Sequence, residues 1–231
     1  MSRMFLAPTE DGFRVMKTWN VFKGCLFECS YCWARNLALG RLKNKPKYKN
    51  GFTPTYHPED LWRLFRPGQF VFISPMGDIS FASRSQIETI LARVAQSPKT
   101  FFLLQSKNPG VYSKWGLKFP PNLYLGTTIE TNRDYHLTKA PPPILRMMDL
   151  ARVAHGKRFV SIEPIQDFDK EILVSWMHFL KPEIVEVGAD GYRNHLAEPG
   201  WAKIEELLVS LREFVPTVVE KKGLERLKDG T

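Results

Sequence analysis

The amino-acid sequence predicts an α/β protein, a partial (β/α) TIM-type barrel with about six or seven parallel strands. Short apolar runs of strand length alternate with segments of helical periodicity at intervals of roughly 25–35 residues, which is typical of successive βαβ units. The chain has 231 residues, and α/β barrels of about 200–250 residues commonly form one domain. We therefore expect a single domain over residues 1–231, with its core at residues 17–222.

Seven segments have the character of strands. All except the first are apolar runs, as expected of strands that are covered on both faces. They span residues 17–22, 69–75, 100–107, 122–130, 158–165, 183–190 and 216–222.

Helical spacing of apolar residues marks the connections between these strands. In residues 85–98 it predicts a helix that Ser83 or Ser85 can cap. A second helix is expected to begin near Ile144, after the prolines at 141–143. Two more are expected within residues 170–182, ending before Pro182, and within residues 201–214. The resulting order of strands and helices predicts a parallel sheet.

Polar residues follow five of the predicted strands. Because sites in parallel α/β folds form at the carboxyl ends of strands, we expect these residues to meet at one edge of the sheet and to form a pocket. The segments are residues 74–78, 106–108, 128–130, 161–163 and 188–190.

The three cysteines, Cys25, Cys29 and Cys32, lie within eight positions, in the loop at residues 23–35. An odd, clustered set of cysteines argues against a disulfide framework and for metal or redox chemistry. A structural zinc would need a fourth ligand such as His57. A [4Fe–4S] cluster would keep one iron open, because such clusters normally take four cysteines. Spacing alone leaves these two alternatives open, together with unligated thiols.

The net charge of +9 favours polyanionic partners. Lys43, Lys45, Lys47 and Lys49 alternate with other residues in one basic segment. If this segment were extended, its period of two would bring the four ammonium groups to one side, where they could contact a nucleic-acid backbone. The alternative is a solvated loop.

No apolar run approaches the roughly 20 residues that span a bilayer. The first residues also lack the apolar region of a secretory signal. We therefore expect a cytoplasmic protein without a membrane partner. No nucleophile elbow, phosphate-binding loop or dinucleotide-binding glycine pattern is present in the sequence.

Several blocks accompany the cysteines in a fixed order between residues 17 and 190: "TWNVFKGC", "CWAR", "VFISPMGDISF", "FFLLQSKNP", "NLYLGTTIE", "FVSIEPI" and "VEVGAD". Together with the C-x3-C-x2-C spacing and the aromatic Tyr31 before the third cysteine, they resemble the radical S-adenosylmethionine (AdoMet) superfamily. More narrowly, they resemble its phage-associated three-Cys-motif branch, which is distantly similar to spore photoproduct lyase. The cysteine spacing is more compact than is usual in that branch, and "SPMGDIS" stands where the superfamily often has Gly-Gly-Glu.

The resemblance implies that Cys25, Cys29 and Cys32 bind three irons of a [4Fe–4S] cluster, and that AdoMet chelates the fourth. One electron, from a donor such as flavodoxin or ferredoxin, would cleave AdoMet to a 5′-deoxyadenosyl radical that abstracts hydrogen from a substrate. The protein would position these cofactors and exclude water.

The resemblance also implies a set of residues that contact AdoMet. Asp78 and Lys107 would bind the ammonium and carboxylate groups of the methionine, and Gly188 would allow close approach of the adenine. Each polar member has a structural alternative, such as a helix cap for Asp78, an exposed turn for Lys107 and a structural ion pair for Glu130. The set is Tyr31, Ser74, Gly77, Asp78, Lys107, Thr128, Glu130 and Gly188.

The substrate is less constrained than the cofactors. The positive charge, the basic segment and the similarity to spore photoproduct lyase favour a nucleic-acid or nucleotide-derived substrate. A peptide or small metabolite is the alternative within the same chemistry. A non-catalytic metal-binding module that binds nucleic acid is the alternative outside it. The sequence leaves the oligomeric state undetermined.

Overall fold

The computed structural model describes residues 6–9 and 12–228. Residues 1–5, 10–11 and 229–231, which the predicted domain includes, lie outside the described residues. The strands are β1 (Leu6–Thr9), β2 (Gly12–Val15), β3 (Lys17–Trp19), β4 (Phe22–Lys23), β5 (Thr55–Tyr56), β6 (Phe70–Ile73), β7 (Phe101–Gln105), β8 (Leu123–Thr128), β9 (Arg158–Ile162), β10 (Ile184–Val187) and β11 (Thr217–Glu220). The α-helices are α1 (Trp33–Leu39), α2 (Arg84–Ala95), α3 (Gly110–Lys114), α4 (Pro143–Ala151), α5 (Lys170–Leu180) and α6 (Trp201–Arg212).

The main sheet has seven parallel strands in the order β11-β10-β9-β8-β7-β6-β3. Each strand from β6 onward pairs with the preceding strand of the sheet, as expected of right-handed βαβ connections. The sheet confirms the predicted α/β fold class, a partial TIM-type barrel. β1 and β2 form a separate antiparallel hairpin that the sequence did not predict.

The first predicted strand is divided in the structure. β3 ends at Trp19, and β4 pairs with β5 in a separate antiparallel ribbon. Where the chain has left the main sheet, the backbone N–H of Phe22 donates to the Ser74 side-chain oxygen, 3.1 Å away. The prediction of one strand over residues 17–22 is therefore wrong at its carboxyl end.

The helices begin and end close to the predicted residues. Ser83 caps α2 in a capping box with Gln86, which decides between the two predicted caps. α4 begins at Pro143, one residue before the predicted Ile144. Among the described residues, no helix is both long enough and apolar enough to cross a membrane.

The two faces of the sheet have different contents. One face packs against the helices through a large apolar core that includes Trp19, Ile73 and Leu125. The other face is apolar at the amino ends of the strands, around Phe70 and Phe159. Towards the carboxyl ends this second face becomes polar, through Gln105, Thr128, Ser161 and Glu186. The main sheet therefore presents its polar side chains at the edge where the predicted site residues lie.

Candidate functional site

The loop between β4 and α1 carries all three cysteines, and all three thiols are free. Cys32 is the N-cap of α1, and its sulfur accepts from the Arg35 backbone N–H at 3.4 Å. The Cys25 sulfur accepts from the Phe27 backbone N–H at the same distance, 3.4 Å. Phe27 and Tyr31 are buried beside Cys29. The thiols therefore lie in an apolar pocket, where backbone N–H groups point at the sulfurs of Cys25 and Cys32, and the Cys29 thiol donates to the Thr138 hydroxyl at 3.2 Å.

The donor set of this loop, three cysteine thiols, suits an iron–sulfur cluster. Among the described residues, no three His, Cys, Asp or Glu side chains lie close enough together to hold one ion. A [4Fe–4S] cluster attaches each thiolate to a different iron, so its sulfurs are spaced more widely than the ligands of a single ion.

Gly24 anchors the cysteine loop to the segment that follows β6. Its N–H donates to the Met76 carbonyl at 2.9 Å, and its carbonyl accepts from the Asp78 N–H at 3.1 Å. A Cβ on Gly77 would lie 2.7 Å from the Gly24 backbone nitrogen. Gly77 therefore allows close approach of two backbone segments, a role that differs from the predicted contact with AdoMet.

Gly24→Ala should lower the free energy of unfolding by about 2–5 kcal/mol. Gly24 has a φ of +85°, and a Cβ there would lie 2.3 Å from the Thr53 carbonyl oxygen. The matched control is Gly68→Ala, because Gly68 has a φ of +71° but no heavy atom within 4 Å of the added Cβ. Chemical denaturation measures the free energy of unfolding of both variants. The loss in Gly68→Ala reports the cost of the positive φ alone, and the additional loss in Gly24→Ala reports the collision with Thr53. Equal losses in the two variants would contradict the close approach of Gly24 to Thr53.

Glu130, at the end of β8, is the centre of a buried ionic network. It accepts from Tyr31 Oη, from Lys107 Nζ and, at 2.8 Å, from an Arg146 Nη. Lys107 Nζ also donates to Tyr31 Oη at 2.9 Å. Burial raises the pKa of Glu130, but the charges of Lys107 and Arg146 and the hydrogen bonds from Lys107 and Tyr31 outweigh it and lower the pKa to about 2. The network connects the cysteine loop to β7, β8 and α4.

Arg146 was missed by the sequence predictions. It is 1% exposed, and it also donates to the Thr128 carbonyl at 3.0 Å. Pro143, Met147 and Leu150 are the other buried residues of α4, so Arg146 occupies an apolar position of the helical pattern. An arginine at such a position indicates a buried anionic partner, and this signal was available in the sequence.

Asp78 makes structural hydrogen bonds with its carboxylate. The carboxylate caps a short 3₁₀ turn through the Ser80 N–H at 2.9 Å. It also accepts from the Ser106 hydroxyl at 2.6 Å and from the Lys107 N–H at 2.8 Å. The structure thus shows the capping alternative, while the proposed contact of Asp78 with AdoMet stays a prediction.

The remaining predicted residues follow the carboxyl ends of neighbouring strands. The Thr128 hydroxyl accepts from the Gln105 side chain at 2.8 Å. Ser74 is buried, has a φ of 58° and orients the start of β4. A Cβ on Gly188 would lie 2.9 Å from the Glu163 side chain, so the glycine allows close approach of Glu163. The contacts of these residues with AdoMet stay predictions.

A second polar cluster, not predicted as a unit, lies at the ends of β9, β10 and β11. Glu186 is 1% exposed and accepts from the Ser161 hydroxyl at 2.7 Å, while Lys221 pairs with Glu163. Burial raises the pKa of Glu186 to about 8; the charge of Lys221 opposes this and the charge of Glu163 adds to it. The cluster therefore has one cation for two carboxyl groups.

Glu186→Gln should stabilise the protein by an amount that grows as the pH rises from about 5 to about 8. In this window the unfolded chain, where glutamate titrates near about 4.3, has lost the proton that folded Glu186 keeps. Ionisation therefore favours unfolding increasingly as the pH rises, and the variant lacks this penalty. Melting temperatures at three pH values, with the exposed Glu205→Gln as control, measure the effect. An increase in melting temperature that is the same at all three pH values would contradict the raised pKa of Glu186.

The basic segment is not extended. Residues 41–51 form successive turns, with a 3₁₀ turn at Pro46–Tyr48, and Lys47 Nζ lies 2.7 Å from Asp60 and 3.4 Å from Glu59. The argument that a period of two aligns four lysines is therefore wrong. Proline at position 46 and the positive φ of 67° at Gly51 favour turns instead.

Residues 14–206 match the model of a protein family described as "Protein of unknown function (DUF5131)". The chain belongs to this family. Among curated proteins, none matches the sequence of this DUF5131 member significantly.

The DUF5131 chain is similar in fold to solved structures of spore photoproduct lyase. The lyase complexed with dinucleoside spore photoproduct gives a TM-score of 0.61 at 9% identity, over 92% of this chain and 78% of that chain. A variant with the same dinucleoside gives 0.64 at 9% identity over the same shares, 92% and 78%. A variant with bound AdoMet and the dinucleoside gives 0.54 at 8% identity, over 90% of this chain and 64% of that chain. At these identities the similarity shows a shared fold.

Proposed function

We propose that this protein is a radical AdoMet enzyme whose [4Fe–4S] cluster is bound by Cys25, Cys29 and Cys32. The observation that carries the proposal is a loop with three free thiols in an apolar pocket, beside the carboxyl ends of a parallel partial barrel. The fold shared with spore photoproduct lyase, one structure of which has bound AdoMet, supports the same chemistry. When bound and reduced, the cluster and AdoMet supply a 5′-deoxyadenosyl radical.

The chain's own residues would hold and shield these groups. Phe27 and Tyr31 would shield the Cys29 thiol from water, because all three residues are buried together, whereas Cys25 and Cys32 are partly exposed. Lys107 would bind the AdoMet carboxylate. Because the Lys107 ammonium pairs with Glu130 in the structure, this ammonium would have to give up part of that contact when AdoMet binds. Arg146 keeps Glu130 compensated during that exchange, since it donates to the other carboxylate oxygen. Tyr31, Ser74, Gly77, Asp78, Thr128, Glu130 and Gly188 complete the proposed AdoMet-binding set.

The experiment that tests this function is product analysis without substrate. Anaerobically reconstituted protein, reduced and supplied with AdoMet, should slowly release 5′-deoxyadenosine and methionine, which mass spectrometry detects. Absence of both products from protein that carries reduced cluster would contradict the proposal. A flavodoxin or ferredoxin is the proposed physiological donor, and a cytoplasmic location suits such a donor.

We further propose a nucleic-acid or nucleotide-derived substrate. The net charge of +9 and the exposed lysines of the basic segment support it. The dinucleoside bound by spore photoproduct lyase supports it by analogy of fold. A peptide or small metabolite remains the alternative if no nucleic acid binds.

Changing Lys43, Lys45 and Lys49 together to Gln should flatten the salt dependence of binding to single-stranded DNA. Lys47 already pairs with Asp60, so about three ammonium groups are available to neutralise phosphates. Three phosphate contacts give a slope of log affinity against log salt of about −2. Filter binding at several salt concentrations measures this slope before and after the changes.

The control variant changes three exposed lysines outside the basic segment, Lys99, Lys114 and Lys181, to Gln. It therefore loses the same amount of positive charge. It should keep the slope of the parent protein. Equal flattening in both triple variants would show that net charge alone, and not the basic segment, carries the binding.

A further inference from the structure

A cavity of about 70 Å³ lies behind the cysteine loop, between the β4–β5 ribbon and the turns at residues 46–53. The side chains of Lys23, Lys47, Tyr48, Lys49 and His57 are among those of its lining residues. A water molecule needs about 10–15 Å³ of such a cavity. The cavity therefore has room for a group of roughly five heavy atoms, but not for a base and a sugar.

Lys23 is largely buried along its side chain, and its ammonium forms no close ion pair within the part of the chain that the structure describes. The residue is only 6% exposed. Among the described residues, its ammonium has no hydrogen bond and no ion pair, and it lies 5.1 Å from the centroid of the Tyr48 ring. Burial of a charge is costly unless an opposite charge or hydrogen bonds compensate for it. Within the described residues, the ammonium of Lys23 therefore has free donors, from which an anion at this cavity can accept.

The surroundings do not supply that anion. Among the described residues that line the cavity, none is acidic. Asp60 and Glu59 lie near enough to act electrostatically on Lys23. Their close contacts, however, are with two lining residues, Asp60 with Lys47 at 2.7 Å and Glu59 with His57 Nδ1 at 3.0 Å. His57 Nε2 has no hydrogen-bond partner among the described residues. The lining itself therefore has no acidic side chain, and Lys23 and Lys49 are its lysines that form no close ion pair among the described residues.

We propose that this cavity binds a phosphoryl group, either the terminal phosphate of a nucleotide or free inorganic phosphate. A phosphoryl group has five heavy atoms, and its oxygens accept hydrogen bonds from several directions, which matches lysine donors that come from β4 and from the turns. Lys23 and Gly24 directly precede Cys25, whose N–H donates to the Phe52 carbonyl at 3.1 Å. A bound phosphoryl group would therefore link the turns at residues 46–53 to the base of the cysteine loop.

Binding to the full chain, measured by isothermal titration calorimetry at constant ionic strength, tests this site. The probes are inorganic phosphate, a dinucleotide with a 5′-phosphate and the same dinucleotide with a 5′-hydroxyl. Lys23→Met keeps the length of the side chain and removes its charge, so phosphate binding should weaken roughly 10-fold or more. Lys49→Gln, on the exposed side of the cavity, should weaken it by a smaller factor, while the exposed Lys114→Gln should leave it unchanged.

The three probes also identify the source of the phosphoryl group. Tighter binding of the 5′-phosphorylated dinucleotide than of its 5′-hydroxyl counterpart, with competition by inorganic phosphate, assigns the cavity to a nucleotide terminus. Binding of inorganic phosphate alone assigns it to the free ion. Failure of every phosphate probe to bind, or binding that Lys23→Met and Lys49→Gln leave unchanged, overturns the proposal. The readout does not depend on iron or AdoMet, so this result is separate from the test of the proposed function.

Discussion

Glu130→Gln is expected to lower the free energy of unfolding by about 3–5 kcal/mol, the usual loss when one partner of a buried ion pair is removed. The variant keeps the shape of the side chain but leaves Lys107 and Arg146 without their shared anion. The shift of the Glu130 pKa from near 4.5 to about 2 gives a similar magnitude, because one pKa unit corresponds to about 1.4 kcal/mol. Urea denaturation at pH 7 measures the loss.

The same shift fixes how the network responds to acid. Since the folded protein holds the pKa of Glu130 below its unfolded value, the stabilisation is complete above about pH 5 and is lost as the pH falls towards about 2. Glu206→Gln is the control, because Glu206 forms an exposed pair with Lys170 and should cost less than about 1 kcal/mol. Equal losses in the two variants would show that the buried network contributes no more than a surface pair.

Cys25→Ala, Cys29→Ala and Cys32→Ala should each remove most of the bound iron and abolish AdoMet cleavage. Each thiolate is proposed to hold a different iron, so the loss of one leaves two protein ligands for a cluster that normally takes four. We expect iron to fall from about four atoms per chain to fewer than about one, together with the brown colour of the anaerobic protein. Iron and acid-labile sulfide assays after identical reconstitution measure the change.

Ser30→Ala is the control for these three variants. Ser30 is exposed in the same loop, and its hydrogen bond to Leu137 uses the backbone N–H, which alanine retains. This variant should keep its full iron content. A full iron load in all three cysteine variants would refute the assignment of the ligands.

The strands of the main sheet could be predicted because burial on both faces leaves a continuous apolar run. β6 and β7 lie wholly within the segments that the sequence marks. α1 and α3 were not predicted, since seven and five residues are too few for a clear helical period. The end of β3 was misplaced because local apolar patterns do not show long-range contacts such as the hydrogen bond from Phe22 to Ser74, 52 positions away along the chain.

The sequence could predict which residues of the candidate site come together, but not which of their side chains bond to each other. The carboxyl-end rule correctly indicated that Asp78, Lys107 and Glu130 come together, and hydrogen bonds connect Asp78 to Lys107 and Lys107 to Glu130. It could not indicate that Lys107 pairs with Glu130 while the Asp78 carboxylate bonds to the Lys107 backbone. Such pairings depend on side-chain directions at strand ends, and sequence spacing does not encode these directions. Arg146 is the opposite case. Its place at an apolar position of α4 indicates a buried anionic partner, so the sequence contained evidence for this contact that the predictions did not use.

The measurement that most directly tests the proposed function is the electron paramagnetic resonance spectrum of the dithionite-reduced protein before and after AdoMet is added. We predict the signal of a reduced [4Fe–4S] cluster, and a change in that signal as AdoMet binds to the iron that Cys25, Cys29 and Cys32 leave open. A protein that shows no reduced-cluster signal, or a signal that saturating AdoMet leaves unchanged, would contradict the radical AdoMet assignment.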